Sequence, residues 1–402
     1  MIRRIRILTA FFAVLPCTAA TYRFAAVWDG ERRIDKACIT IERGRIESVG
    51  TCPANAIDMS RYTAIPGLID MHTHMTYVLN NPVSLPGKNA AVVYLARENA
   101  LQTLQTGVTT VRDLGAQNYA DIAMRDLIAG GLMKGPRMFV AGYGLLSSRG
   151  GATSPGAAGS VEEVIRVTGE QAKAGADWIK MYGSTGSGQN VSGDQTFTYE
   201  EMRAAVETAH KLGKRIAIHS YGPGGARDAV RAGTDTLEHA TDMDAATIRH
   251  LADRKVWYVS TIDHNRYYAD NIQLLGFAPG SLQGLNNFIE RNLATAKLAF
   301  QAGVRFAMGS DAVRSMFGEN TKELAWFVKA GMTPEQALKT ATVNAAEALG
   351  METRLGALKP GYEADLVAVE GDPLADIDVV IHRVRWVMKG GEVVVDNRAG
   401  AK

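Results

Sequence analysis

Short stretches in which apolar and polar residues alternate mark both ends of the chain, and short continuous apolar runs fill the middle. Near the start, Cys38-Ile39-Thr40-Ile41 and Arg45-Ile46-Glu47-Ser48-Val49 repeat with period two between Gly-bearing turns, the pattern of half-buried strands. Asp365-Leu366-Val367-Ala368-Val369, Val384-Arg385-Trp386-Val387-Met388 and Glu392-Val393-Val394-Val395 behave alike near the end. The ends, residues 21–65 and 355–402, therefore suggest one small sheet domain built from both. Between them, residues 66–354 carry eight compact apolar runs: Leu68-Ile69-Asp70, Thr109–Val111, Met138–Val140, Trp178–Lys180, Ile216–Ile218, Thr236–Glu238, Val256–Val259 and Phe306–Met308. Helical periodicity intervenes, as in Glu201–Lys211 and in Leu293–Gln301, which stops before Gly303. Eight strand-then-helix units fit a closed parallel (β/α)8 barrel, whose active site lies at the C-terminal ends of the strands. Periodicity alone also admits an open doubly wound sheet.

Composition narrows the class. With 46% hydrophobic and 21% charged residues in 402, the chain can bury a full core, which excludes disorder as its main state. Forty-four Lys and Arg face 42 Asp and Glu, so no clustered basic face points to nucleic acid. The first twenty residues read as an export signal. Arg3, Arg4 and Arg6 precede an apolar run from Ile7 to Leu15, followed by Pro16 and small residues up to Ala19-Ala20. That run is less than half of the roughly twenty residues a bilayer requires, so no stable membrane span is expected. A periplasmic or secreted location follows, with a lipoprotein anchor at Cys17 as the lesser reading because Pro16 stands where a small residue is wanted. The mature chain then holds Cys38 and Cys52, either as a disulfide or as two separate thiols.

Candidate chemistry begins at Pro66-Gly67-Leu68-Ile69-Asp70-Met71-His72-Thr73-His74. Residues two apart on a strand share a face, so His72 and His74 can reach one metal ion together. A His-x-His pair alone is weak. Here other ligand-type residues also sit where later strands end: Lys180, His219, His239 and Asp311. Of only eight histidines in the chain, four lie at strand ends. His210, His250 and His382 read as structural, and His264, after the seventh strand, as a residue that can line a pocket. Gly183–Gly188 lacks the Lys-Ser/Thr of a phosphate loop and reads as an active-site loop.

On these residues, and on the tail Thr333-Pro334-Glu335-Gln336-Ala337-Leu338 through Lys359-Pro360-Gly361-Tyr362-Glu363-Ala364-Asp365-Leu366-Val367, the sequence resembles the amidohydrolase superfamily over nearly its whole mature length. The resemblance implies a distorted TIM (β/α)8 barrel with a small β-sandwich from both chain ends. It also implies the binuclear subtype, in which the strand-four lysine is carboxylated and bridges two divalent metals. Lys180 would then be an N6-carboxylysine: an ammonium would carry positive charge toward two cations, whereas a carbamate carries negative charge and two oxygens. His72, His74 and Asp311 would hold one Zn2+ and His219 with His239 the other. A hydroxide would bridge the pair, and Asp311 would act as general base and acid.

Within the superfamily the resemblance is to prolidase-like (Xaa-Pro or Xaa-Arg) dipeptidases related to imidazolonepropionase. It implies a small peptide or N-acyl amino acid substrate whose carboxylate is received by Tyr221 and Arg227; His264, from its place after the seventh strand, is the further candidate for contact with substrate. The segment Gly142-Tyr143-Gly144-Leu145-Leu146-Ser147-Ser148-Arg149 lacks the Gly-Gly-His frequent in that group. Rival readings are a lactonase on the same metal pair, a mononuclear deaminase, weakened because Ser220-Tyr221-Gly222-Pro223 offers no proton-shuttling Glu, and a non-catalytic binding protein. Homo-oligomers are common in the superfamily, and composition does not bear on them.

Overall fold

The computed structural model describes residues 19–78, 89–187 and 190–398. The export-signal expectation, Cys17 included, therefore lies almost wholly outside the described residues, as does Gly188 of the proposed loop.

The middle of the chain forms the expected barrel. Its strands are Leu68–Thr73, Val108–Asp113, Arg137–Val140, Trp178–Tyr182, Arg215–Ser220, Thr236–His239, Trp257–Val259 and Arg305–Phe306. They pair in parallel as a group of three and a group of five. Two sparse seams close the ring: Asp177 N–H donates to Val140 O at 2.8 Å, and Met71 N–H donates to Met308 O at 2.8 Å. Only isolated bridges, Leu145 with Met181 and Thr73 with Ala312, extend these seams, and this is the barrel's distortion. Every residue of the first two strands is buried, which explains why they read as continuous rather than alternating runs: both faces of a barrel strand are covered.

Helices cover the outside, with ends fixed by local chemistry. Thr198 accepts from Glu201 N–H while the Glu201 side chain reaches back to the cap, so Tyr199–Lys211 opens on a capping box. Leu293–Gln301 is the end of a longer helix, Ser281–Gln301. Gly284 weakens the helical pattern at its start, and burial of Leu285, Phe288 and Ile289 restores it. Among the described residues no helix is long and apolar enough to cross a membrane.

Both chain ends build the β domain. Its strands run in the order Glu392–Asp396, Val384–Lys389, Leu366–Val369, Ile57–Pro66, Ala20–Trp28, Cys38–Glu42, Arg45–Gly50, with Arg33–Asp35 beside Ala20–Trp28. The ends meet where Leu366–Val369 runs antiparallel to Ile57–Pro66, placing Leu366 opposite Pro66 and Ala368 opposite Ala64. Ile57–Pro66 leads through Gly67 directly into the first barrel strand. Asp365 fastens the two parts: its carboxylate accepts from Arg137 Nη1 at 2.7 Å and from Thr109 Oγ1 at 3.2 Å. Cys38 and Cys52 are joined as a disulfide with Cα atoms 5.0 Å apart.

Candidate metal centre and active site

The six ligand-type residues arrive from five barrel strands and meet at the C-terminal mouth. His72 lies in the first strand and His74 just beyond it, while the intervening Thr73 turns away to donate to Asp113 at 3.1 Å. Lys180 sits within Trp178–Tyr182, His219 near the end of Arg215–Ser220, and His239 closes Thr236–His239. Asp311 follows the last strand, and its N–H donates to His72 O at 2.7 Å, which ties the eighth strand's end to the first. A Cβ at Gly309 would lie 2.8 Å from that of His72, so only glycine allows this approach. All six line a single cavity of about 240 Å³, smaller than the roughly 300–1,000 Å³ of pockets for drug-sized ligands.

Ligand-type atoms of His72, His239 and Asp311 all lie within 4.8 Å of one another. Asp311 Oδ1 stands 3.4 Å from His72 Nε2 and 3.3 Å from His74 Nε2. The His219 ring packs 4.5 Å from that of His239. The tightest triad thus joins two members of one expected ligand set to a member of the other, so the two sets adjoin. His239 (φ 71°), Thr261 (φ 50°), Asp311 (φ 52°) and Arg314 (φ 54°) all hold left-handed backbone at this mouth. Such strain persists only where the surrounding structure enforces it.

Hydrogen bonds behind the rings aim them. His72 Nδ1–H donates to Glu238 Oε2 at 2.7 Å, His74 Nδ1–H to Gly115 O at 3.2 Å, and His239 Nδ1–H to Thr261 Oγ1 at 2.6 Å. Each bond leaves the Nε2 lone pair of its ring toward the cavity, the orientation typical of a ligating imidazole. Glu238 is itself held by Arg112, a fully buried guanidinium. Arg112 donates to Glu238 Oε1 at 2.9 Å, to Thr236 Oγ1 at 2.9 Å and to Met71 O at 2.6 Å, and lies 4.4 Å from the Trp178 ring centroid.

Burial pushes His72 down to about 4 and holds His219 and His239 well below their usual values, so these rings are neutral. Burial alone would raise Asp311, but the imidazoles of His264, His72, His74 and His239 outweigh it and hold the carboxylate well below its ordinary value. Burial lowers the Lys180 amine to about 8. His74 is the exception: burial alone would lower it, but the Asp311 carboxylate holds it above its usual value. A pocket in which most imidazoles are neutral, beside one ionised carboxylate and an easily deprotonated amine, suits a cation.

Comparison with known proteins agrees with this geometry. Residues 63–394 match the family model described as "Amidohydrolase family". The chain belongs to the amidohydrolase family. The ochratoxinase of Aspergillus niger is 30% identical over 366 residues, covering 82% of this chain and 75% of that protein. The imidazolonepropionase of Geobacillus kaustophilus is 25% identical, covering 90% and 91%. A solved Xaa-Pro dipeptidase with bound methionine superposes with a TM-score of 0.85 at 30% identity, covering 94% of this chain and 99% of that one. A prolidase complexed with N-methylphosphonate-L-proline gives 0.84 at 26%, covering 94% and 100%.

Two of the three residues expected to contact substrate do line the cavity of this amidohydrolase. The Tyr221 ring packs 5.0 Å from His219, and its hydroxyl donates to Asn265 Oδ1 at 3.3 Å. His264 Nε2 stands 3.3 Å from Asp311 Oδ2. Arg227 is a correction. It lies on the outer face of the helix Pro223–Ala232, with its side chain 53% exposed and its Nε bonded to Asp228 at 3.1 Å. The face of that helix turned toward the barrel is Gly225, Ala226, Asp228, Ala229 and Val230. Tyr77, Tyr182, Tyr268 and Arg314 also line the cavity without having been singled out in the sequence. Arg314 carried the one usable signal, a cation three residues beyond Asp311.

Proposed function

We propose that this amidohydrolase is a binuclear, metal-dependent hydrolase of amide bonds in dipeptides or N-acyl amino acids. The observation that carries the reading is a set of polar atoms without partners. His72 Nε2, Lys180 Nζ and His219 Nε2 are buried in one cavity, and none has a hydrogen-bond partner among the described residues. Leaving such groups unpaired costs roughly 1–3 kcal/mol each, and native structures leave few without a reason. Cation binding supplies that reason for the imidazoles. Conversion of Lys180 to its carbamate supplies it for the amine, whose reactive neutral form burial makes more accessible.

In this reading His72, His74 and Asp311 would hold one divalent ion and His219 and His239 the second, and Lys180, once carboxylated, would contribute to holding both. Zinc suits imidazole and carboxylate donors and, when bound, would acidify a water and polarise a carbonyl. The chain's own residues do the rest. Asp311, kept ionised and bonded through its N–H to the first strand, accepts a proton at its carboxylate as water attacks and returns it to the departing amine. Glu238 holds His72 in the tautomer that presents Nε2. The phenols of Tyr77, Tyr182, Tyr221 and Tyr268 form the wall that excludes water from the scissile bond. The solved neighbours, a Xaa-Pro dipeptidase and a prolidase, support the substrate class. The Cys38–Cys52 disulfide and the export-type first twenty residues support a periplasmic or secreted enzyme.

The test is a panel of Xaa-Pro and Xaa-Arg dipeptides, N-acyl amino acids and simple lactones, offered to the zinc-loaded protein with bicarbonate and to Asp311→Asn. Hydrolysis of the peptides or N-acyl amino acids is expected, with a loss of about 10²–10⁴ in the variant, the usual contribution of general acid–base catalysis. Turnover of lactones alone would replace the substrate class, and full activity in Asp311→Asn would remove the proton-transfer role.

A further inference from the structure

The cavity has two chemically different ends. Its floor holds the six ligand-type residues, all buried. Its more open lining includes Ser187, which is exposed, and Arg314, which is partly exposed. Three side chains in the lining carry a formal charge: Lys180, Asp311 and Arg314. The first two belong to the floor, so among the described lining residues Arg314 is the cation left to meet a ligand.

Its guanidinium makes no hydrogen bond or ion pair with any described residue, although its backbone is firmly placed. Arg314 N–H donates to Tyr77 O at 2.7 Å, φ is 54°, and the residue opens the 3₁₀ turn Arg314–Met316. The neighbouring Ser315 Oγ is hydrogen-bonded to the Tyr267 hydroxyl. Left-handed backbone at an arginine is costly and has to be enforced. Here it sets a cation in the more open lining, three residues from Asp311 on the floor. A guanidinium presents five donors in a planar fork that matches a carboxylate bidentately. Dipeptides and N-acyl amino acids carry such a carboxylate one residue's length from the scissile amide.

We propose that Arg314 receives the free C-terminal carboxylate of the substrate and so makes the enzyme selective for acids over the corresponding amides. The inference rests on the amide-hydrolase reading and gives Arg314 the binding role that the exposed position of Arg227 denies to that residue. Arg314 is a specificity residue: it grips the end of the substrate away from the reacting bond.

The experiment compares kcat/KM for matched substrates, an Xaa-Pro dipeptide and its C-terminal amide, in the wild type, Arg314→Ala, Arg314→Lys and Arg227→Ala. The wild type is expected to favour the acid. In Arg314→Ala, kcat/KM for the acid should fall by about 10- to 100-fold, mostly through KM, the size expected on losing hydrogen bonds to a charged group. The acid-to-amide ratio should then collapse to below about 3, Lys should restore part of it, and Arg227→Ala should leave it in place. Equal losses on acid and amide, or an unchanged ratio, would overturn the role of Arg314 while leaving the hydrolase reading intact. Should the wild type cleave neither compound, that reading fails, and thermal shifts by an N-acetyl amino acid and its amide decide the binding role separately. Stabilisation by the acid that Arg314→Ala abolishes would support it, and shifts equal in both proteins would overturn it.

Discussion

Glu238→Gln isolates the buried support beneath the proposed metal site. The carboxylate uses both oxygens: Oε2 accepts from His72 Nδ1 at 2.7 Å, and Oε1 accepts from Arg112 Nη2 at 2.9 Å and from the Thr236 hydroxyl. Glutamine has one acceptor oxygen, so no orientation serves both partners. With its oxygen toward His72, the amide NH2 faces the guanidinium and leaves Arg112 buried without its counter-charge. With its oxygen toward Arg112, the NH2 faces His72 and forces the proton onto Nε2, where a ligand lone pair is needed. Breaking a buried ion pair costs about 3–5 kcal/mol. Burial opposes the ionised form of both partners, yet Arg112, His72 and Lys180 still hold Glu238 down to about 2, so the lower end of that range is appropriate. At about 2 cal/mol/K per residue, or roughly 0.8 kcal/mol/K for a chain of this length, 3 kcal/mol lowers Tm by about 4 °C. Zinc affinity should weaken by about 10–100-fold, as is typical when a partner behind a ligating histidine is lost. Differential scanning fluorimetry of the chelated protein and competition with a chromophoric chelator would read the two effects. A Tm within about 1 °C of wild type together with unchanged zinc affinity would refute the role given to Glu238.

Further outcomes follow from other buried groups. Burial pushes Glu323 up to about 8, although Ser260 Oγ and the N–H groups of Ile262 and Asp263 donate to it. A raised carboxyl stabilises the fold fully below its ordinary value of 4.5 and loses that contribution as pH climbs through its folded value. The Tm of the chelated protein should therefore fall between about pH 5 and about pH 8, and Glu323→Gln should flatten that slope; parallel profiles would contradict it. Cys38 and Cys52 close a loop with a separation of 14 residues, worth about 3 kcal/mol through restriction of the unfolded chain. Cys38→Ser with Cys52→Ser should lower Tm by about 4 °C, and thiol titration of the unreduced wild type should find both sulfurs blocked.

The barrel was legible because its strands are buried on both faces and appear as short, separated apolar runs, and because His72 and His74 have a spacing that only one strand face satisfies. The β domain was legible from alternation at the two ends, although nothing in that alternation specifies that Leu366–Val369 pairs with Ile57–Pro66. The start of Ser281–Gln301 was hidden because tertiary burial of Leu285 and Phe288 outweighs the local cost of Gly284. Arg227 misled because the resemblance implies a cation some way beyond the His219 strand, whereas the helical repeat turns Arg227 outward. Arg112, mid-strand in a run that reads as core, carried no local sign that it anchors Glu238. The contacts that reveal its role cross from the second strand to the sixth.

The most direct test is the metal content of the chain. Wild-type protein loaded with zinc in the presence of bicarbonate, freed of excess metal and measured by inductively coupled plasma mass spectrometry, should hold about two zinc ions per chain. Lys180→Ala should hold about one or fewer. Less than one ion in the wild type, or two in both proteins, would contradict a centre in which Lys180 joins the two halves of the site.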